Sequence, residues 1–168
     1  MNDVKYLRFS KGSPESKVLL DWWRGLETNR GDRAALRRCC NLSEVVFVPS
    51  YHRLRQELLR LGYVVNSEGL AIVAGLTARV KEDNNKHTVA KQMATSVAGD
   101  SARVSGLRFR RLLKIQDRDK LYPAMIRIVA LLGSSLSLVN LADSVYWWND
   151  ITRKNWAFDY YTNAPSEK

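Results

Sequence analysis

Along most of the chain, apolar residues recur three and four positions apart, and Gly, Ser, Asp or Asn punctuates the runs. Ser13-Pro14-Glu15 opens a helix with Val18, Leu19, Trp22, Trp23 and Leu26 on one face, ending near Thr28-Asn29. A second begins at Gly31-Asp32 and carries Leu36 and Cys39 inward. A third runs from Ser50 to Leu61 with Tyr51, Leu54, Leu58 and Leu61 in line, and Gly62 stops it. Asn66 or Ser67 caps a strongly apolar helix (Leu70, Ile72, Val73, Leu76, Val80) whose Gly69 and Gly75 make small faces for close packing. A polar loop over Lys81–Lys86 precedes a weaker helix, His87–Ala98. Beyond the break at Gly99-Asp100-Ser101, Ser105 starts a helix with Phe109, Leu112 and Leu113 inward. Asp117 starts the next, reaching Leu132 with an irregularity at Pro123. After a turn at Gly133–Ser135, two helices span Ser137–Trp148 and Asp150–Thr162.

Strand signals are scarce. Glu44–Val48 alone carries a β-branched run, cut off by Pro49. The pattern predicts an all-α fold, a compact bundle of about eight to nine helices in a single domain over residues 1–162. The Gly99 break marks two packed halves, 13–98 and 100–162, and residues 163–168 read as a flexible tail.

The composition supports a folded core, with 45% hydrophobic residues. Its dominant feature is charge: 27 Lys+Arg against 17 Asp+Glu, a net +10. Such an excess faces a polyanion, and nucleic acid is the first choice. No run approaches the ~18 apolar residues of a membrane span, and no signal-peptide centre is evident, so no membrane partner is expected. The two cysteines, Cys39 and Cys40, are adjacent and build no disulfide framework, which fits a cytoplasmic location.

The residues that carry catalysis are thinly represented. His52 and His87 lie far apart without the convergent ligands a metal needs. No phosphate-cradling glycine loop or serine elbow is present. Asp117 and Asp119 read as helix-start carboxylates, and Cys39 as a small buried hydrophobe rather than a reactive thiol. Asn41-Leu42-Ser43 matches a glycosylation acceptor that a cytoplasmic chain would not use. No enzyme, cofactor, metal or small-molecule substrate is expected.

The basic residues are placed more tellingly. Arg103, Arg108, Arg110, Arg111, Lys114 and Arg118 crowd one stretch, opposed only by Asp117. Arg108, Arg111 and Lys114 step by threes onto one side of a helix whose other side is apolar. Arg33, Arg37 and Arg38 form a second group, Lys86, Lys91 and His87 a third, and Arg153 with Lys154 a weaker fourth. Arg127 lies on a largely apolar helix. The five tryptophans sit at core spacing; in each pair one ring is expected inside and the other at a rim, with Trp23 and Trp148 the rim members facing a partner.

Several segments, taken in order, resemble the CasB family, the small subunit of the CRISPR type I-E Cascade complex. They are Trp22-Trp23-Arg24-Gly25-Leu26, Gly31–Arg38, Leu107–Leu113, Ile126–Leu132, and Trp147-Trp148 followed by Arg153, Trp156 and Asp159-Tyr160-Tyr161. The resemblance covers residues 17 to 162 and implies an all-helical, non-catalytic subunit. Its implied partners are the backbone and large Cascade subunits, a second copy of itself, CRISPR RNA and target DNA. Its implied role is to stabilise the R-loop by holding the RNA–DNA hybrid and the displaced strand. Carried over by position, the resemblance points to Arg37, Arg38, Arg108, Arg111, Lys114 and Arg127, beside Lys86, Lys91 and Arg103 from the charge pattern. The chain departs from the family after Trp147-Trp148, where some relatives are basic and this one has Asn149 and Asp150. The alternative reading is a protein–protein scaffold with no nucleic-acid contact. A helix-turn-helix regulator is weaker, because no exposed polar recognition helix follows a suitable turn.

Overall fold

The computed structural model describes residues 3–96 and 99–165. In chain order the elements are β1 (Lys5–Tyr6), α1 (Pro14–Thr28), α2 (Arg30–Arg37), α3 (Leu42–Val46), α4 (Pro49–Arg60), β2 (Tyr63–Val64), α5 (Ser67–Thr77), β3 (Glu82–Asp83), α6 (Val89–Ala94), α7 (Gly106–Leu113), α8 (Arg118–Leu131), β4 (Ser135–Leu136), α9 (Leu138–Tyr146) and α10 (Asp150–Asn163). The fold is all-helical in character, as the periodicity predicts. Every described helix except α4 starts behind a Ser, Thr, Asn or Asp whose side chain accepts a first-turn N–H. Asp117 is such a cap, accepting from the Lys120 N–H at 2.9 Å, so its carboxylate serves the start of α8 as expected.

The centre is α5. Gly69 through Thr77 are all buried, and α3, α8 and α9 pack around it, with α2 and α4 at the margin. The two glycines mark the tightest approaches, as their spacing predicts. A Cβ on Gly69 would meet the Tyr146 ring of α9 at 2.8 Å, and one on Gly75 would meet Tyr122 Oη of α8 at 2.7 Å. The core is continuous across the Gly99 break, since α5 touches both α8 and α9, and α6 packs along α10. Among the described residues no helix is long and apolar enough to cross a membrane.

The structure corrects the sequence reading in three places. The β-branched run around Val45 is helical: Asn41 caps α3 by accepting from the Glu44 N–H at 3.0 Å, and burial of Leu42 and Val45 against α5 overrides strand propensity. Two short parallel pairings link distant segments, Lys5–Tyr6 with Tyr63–Val64 and Glu82–Asp83 with Ser135–Leu136, where only loop and turn signals stand. The helix read over His87–Ala98 is α6, which Thr95 ends in extended backbone; residues 97 and 98 lie outside the described residues, as do 166–168 of the predicted tail. Pro123 sits on the exposed side of an α8 that continues through it.

The tryptophan pairs are also oriented opposite to expectation. Trp23 and Trp148 are the buried members, while Trp22 and Trp147 are partly exposed. All five indole N–H groups donate inside the protein: Trp22 to Ser50 O, Trp23 to Val80 O, Trp147 to Leu7 O, Trp148 to Ile115 O and Trp156 to Ser144 Oγ, at 2.6 to 3.1 Å. The tryptophans are core and strapping residues rather than a stacking platform.

Candidate nucleic-acid interface

Helix α7 buries Phe109 and Leu112. The Phe109 ring stacks on Tyr160 of α10 with centroids 3.9 Å apart and planes 9° from parallel. With that side fixed inward, Arg108, Arg111 and Lys114 are exposed, as their spacing predicts. Ser105 caps the helix, accepting from the Arg108 N–H at 3.3 Å. No acidic residue stands in the first turn, and Arg108 puts a cation where the helix dipole favours an anion. That placement works against helix stability.

Helices α7 and α8 leave an open groove of about 650 Å³ between them. Arg108, Arg111 and Leu112 line it from α7 and Ile115 from just beyond that helix, and α8 contributes Ala124, Arg127, Ile128, Ala130 and Leu131. The floor is aliphatic and three guanidinium groups stand on the rims. A second groove, about 510 Å³, is lined by Asn84, Lys86, His87, Gln92, Thr95, Arg103 and the turn after α8. The two grooves share Leu131, the last residue of α8, which is 41% exposed on the ridge between them. Among the described residues no Asp or Glu lines either groove. Arg108, Arg111 and Arg127 carry no ion pair among the described residues, whereas Arg8, Arg24, Arg53, Arg60 and Arg153 each have a carboxylate.

The fold thus brings together Lys86, Arg103, Arg108, Arg111 and Arg127. The remaining candidates sit elsewhere. Lys114 is exposed at the C-cap of α7, and Lys91 is half-buried on α6; neither lines the grooves. Arg38 is exposed at the end of α2. Arg37 is turned inward and donates through Nε to Ala78 O at 3.1 Å, while Arg33 reaches Ala78 O and Val80 O. Burial, and then the guanidinium groups of Arg33 and Arg79, hold Arg37 below the usual arginine range.

Arg79 is the residue that sequence reasoning missed. Its guanidinium donates to Gly75 O, Tyr122 Oη, Arg37 O and Cys39 O at 2.7 to 3.0 Å, and more weakly to Leu36 O. Tyr122 in turn donates to Cys39 O at 2.9 Å. This node ties α2, α5 and α8 together and fixes the helix that carries Arg127 and Leu131. The only sequence signal is an arginine closing an otherwise unbroken apolar run.

Other reactive groups are accounted for structurally. The Cys39 thiol is buried, donates to Ala35 O at 3.3 Å and is pushed up by burial. His52 Nε2 lies 2.6 Å from Val46 O. Among the described residues no cluster of His, Cys, Asp and Glu is arranged to hold a metal ion.

The family model of the CRISPR-associated protein Cse2 matches residues 32–161. Among solved structures, the chain resembles CasB from Thermus thermophilus, with a TM-score of 0.67 at 24% identity over 89% of this chain and 99% of that one. It resembles a chain of E. coli Cascade bound to a PAM-containing double-stranded DNA target, with a TM-score of 0.67 at 16% identity over 86% and 94%. Another Thermus thermophilus structure, of a CRISPR-associated protein of the Cse2 family, gives 0.65 at 24% identity over 89% and 99%. Among curated proteins none matches.

Proposed function

This chain belongs to the CRISPR-associated Cse2 family, and from that premise we propose that it is the non-catalytic small subunit of a type I-E Cascade complex. It holds nucleic acid by its phosphates along the α7–α8 groove and its neighbour. The observation that carries the reading is one groove lined by Arg108 and Arg111 from α7 and Arg127 from α8, continued by Lys86 and Arg103 in its neighbour without a lining carboxylate among the described residues. The E. coli neighbour was solved within Cascade on a DNA target, which supports the same setting for this chain. In that setting base pairing between guide and target reads the sequence, and a protein surface need only favour the opened state. Cations on two helix rims suit that task because they follow phosphates without selecting bases. The other Cascade subunits, a second copy, CRISPR RNA and target DNA are the partners this role entails.

Fluorescence anisotropy with a labelled single-stranded oligonucleotide, titrated at several salt concentrations, tests it. Five cations on phosphates give a slope of log K against log salt near −3.5, at ~0.7 per contact. Arg108→Ala/Arg111→Ala and Arg127→Ala are expected to weaken binding of every sequence alike and to flatten the slope by about 0.7 per residue removed. Binding that ignores ionic strength, or crosslinks formed with protein subunits and never with nucleic acid, would refute the reading in favour of a scaffold.

A further inference from the structure

The α7–α8 groove is built for more than phosphates. A surface that only tracks a backbone needs cations and no apolar floor, yet Leu112, Ile115, Ala124, Ile128 and Leu131 form one between the arginine rims. Leu112 and Ile128 are nearly buried, whereas Leu131 stands 41% exposed on the ridge where the aliphatic groove gives way to the polar one. Resting on the reading above, we propose that this groove takes unstacked nucleobases of a single strand, with Leu131 as the wedge against which a base lies and the rim arginines holding the flanking phosphates. A duplex keeps its base faces stacked inside and offers this floor nothing apolar to cover. A single strand exposes both the faces and the phosphates. An acidic amphipathic helix would meet the same rims, but it needs an apolar seam along its whole length. Here the apolar lining ends with Leu131 and the buried Leu132 while the basic lining runs on through Arg103 and Lys86. That continuation favours a polyanion chain as the occupant. Guanidinium planes stack on bases as well as bind phosphates, so the rims reinforce the floor.

The test separates bases from phosphates. The full chain is titrated with an oligothymidine and with an abasic strand of equal length, at several salt concentrations. The wild type is expected to bind the base-bearing strand roughly five-fold more tightly, with parallel salt slopes because the added contact is not ionic. Leu131→Ala is expected to lose most of that preference and keep its slope, and Leu131→Tyr to widen it. Thermal melts of both variants verify folding, and the exposure of Leu131 makes large losses unexpected. Equal affinity of the wild type for the two strands would overturn the inference and leave the phosphate reading standing. Absence of salt-dependent binding to either strand would overturn the phosphate reading itself. Leu131-dependent capture of an acidic helical peptide, with no preference for bases, would assign the groove to a protein partner and also overturn the proposal.

Discussion

Gly75 and Gly25 are both helical glycines, and replacing each by alanine is expected to shift stability in opposite directions. Gly75, in α5, faces Tyr122 of α8, and a Cβ there would lie 2.7 Å from Oη, 2.8 Å from Cε2 and 3.0 Å from Cζ. Tyr122 is fully buried and has no free side to swing to: its hydroxyl donates to Cys39 O and accepts from Arg79 Nη1, each at 2.9 Å. Alanine at position 75 gains about 1 kcal/mol in helix propensity. Against this stand about 1–3 kcal/mol for overpacking and roughly 1–3 kcal/mol for disturbing a buried, doubly bonded hydroxyl. The net is a loss of about 1–5 kcal/mol, its midpoint of ~3 kcal/mol worth roughly 6–12 °C in Tm for a chain of this size. At Gly25, exposed on α1, a Cβ meets nothing within 4 Å, so Gly25→Ala is expected to stabilise by about 0.5–1 kcal/mol. Urea unfolding followed by circular dichroism measures both against wild type. A Gly75→Ala protein as stable as Gly25→Ala would refute the reasoning that α5 and α8 meet at that glycine.

Two further outcomes follow from buried charge. Arg79→Met leaves the carbonyls of Gly75, Arg37 and Cys39 and the Tyr122 hydroxyl without their donor; thermal denaturation is expected to show a loss of about 3–5 kcal/mol, only partly recovered by Arg79→Lys because an ammonium has no fork, and a wild-type Tm for Arg79→Met would contradict this. Asp143 clamps the N-terminal segment, accepting from the Phe9 N–H at 3.0 Å and pairing with Arg8 at 3.4 Å, yet burial outweighs both and raises its carboxyl above 3.8. Because the folded state keeps this proton longer than the unfolded state, the site's contribution to stability falls as pH rises from 3.8 through the folded value. Asp143→Asn is expected to remove that decline, and unfolding curves of the two proteins that stay parallel across the acid range would refute it.

Most of the helices were legible because their starts are chemical. A Ser, Thr, Asn or Asp before an apolar run satisfies an orphan N–H locally, whatever the rest of the chain does. Helix α3 escaped because its five residues are too few for periodicity and two of them are valines; what makes it helical is burial against α5, which is tertiary. The two parallel bridges are equally silent, since each joins residues more than fifty positions apart through only two pairs. The basic side of α7 followed from its own spacing. That Arg127 would line the same groove as Arg111 did not, because α7 and α8 are placed through other elements, Phe109 of α7 against Tyr160 of α10 and Tyr122 of α8 against Gly75 of α5. Tryptophan orientation within each pair is not written in the sequence for a related reason: both rings of each pair find a backbone carbonyl, so tertiary packing alone chooses the inner one.

The arginines divide by what they touch, and the division changes what the net charge of +10 means. Arg33 and Arg37 donate to Ala78 and Val80 beyond α5, Arg79 to the carbonyls closing α2, Arg118 to Tyr146 at the end of α9, and Arg153 to Leu113 at the end of α7. Helix C-termini leave carbonyls unpaired and carry partial negative charge. A guanidinium suits them because it spreads several donors over one delocalised cation. These residues have hydrogen-bond partners inside the protein, so their charge already serves the fold. Arg108, Arg111 and Arg127 touch no carbonyl or carboxylate among the described residues, and one of them opposes the dipole of its own helix. Nothing among the described residues accounts for them. The proposed function supplies a partner for them, a polyanion, which is why the groove between α7 and α8, rather than the total charge, carries that proposal.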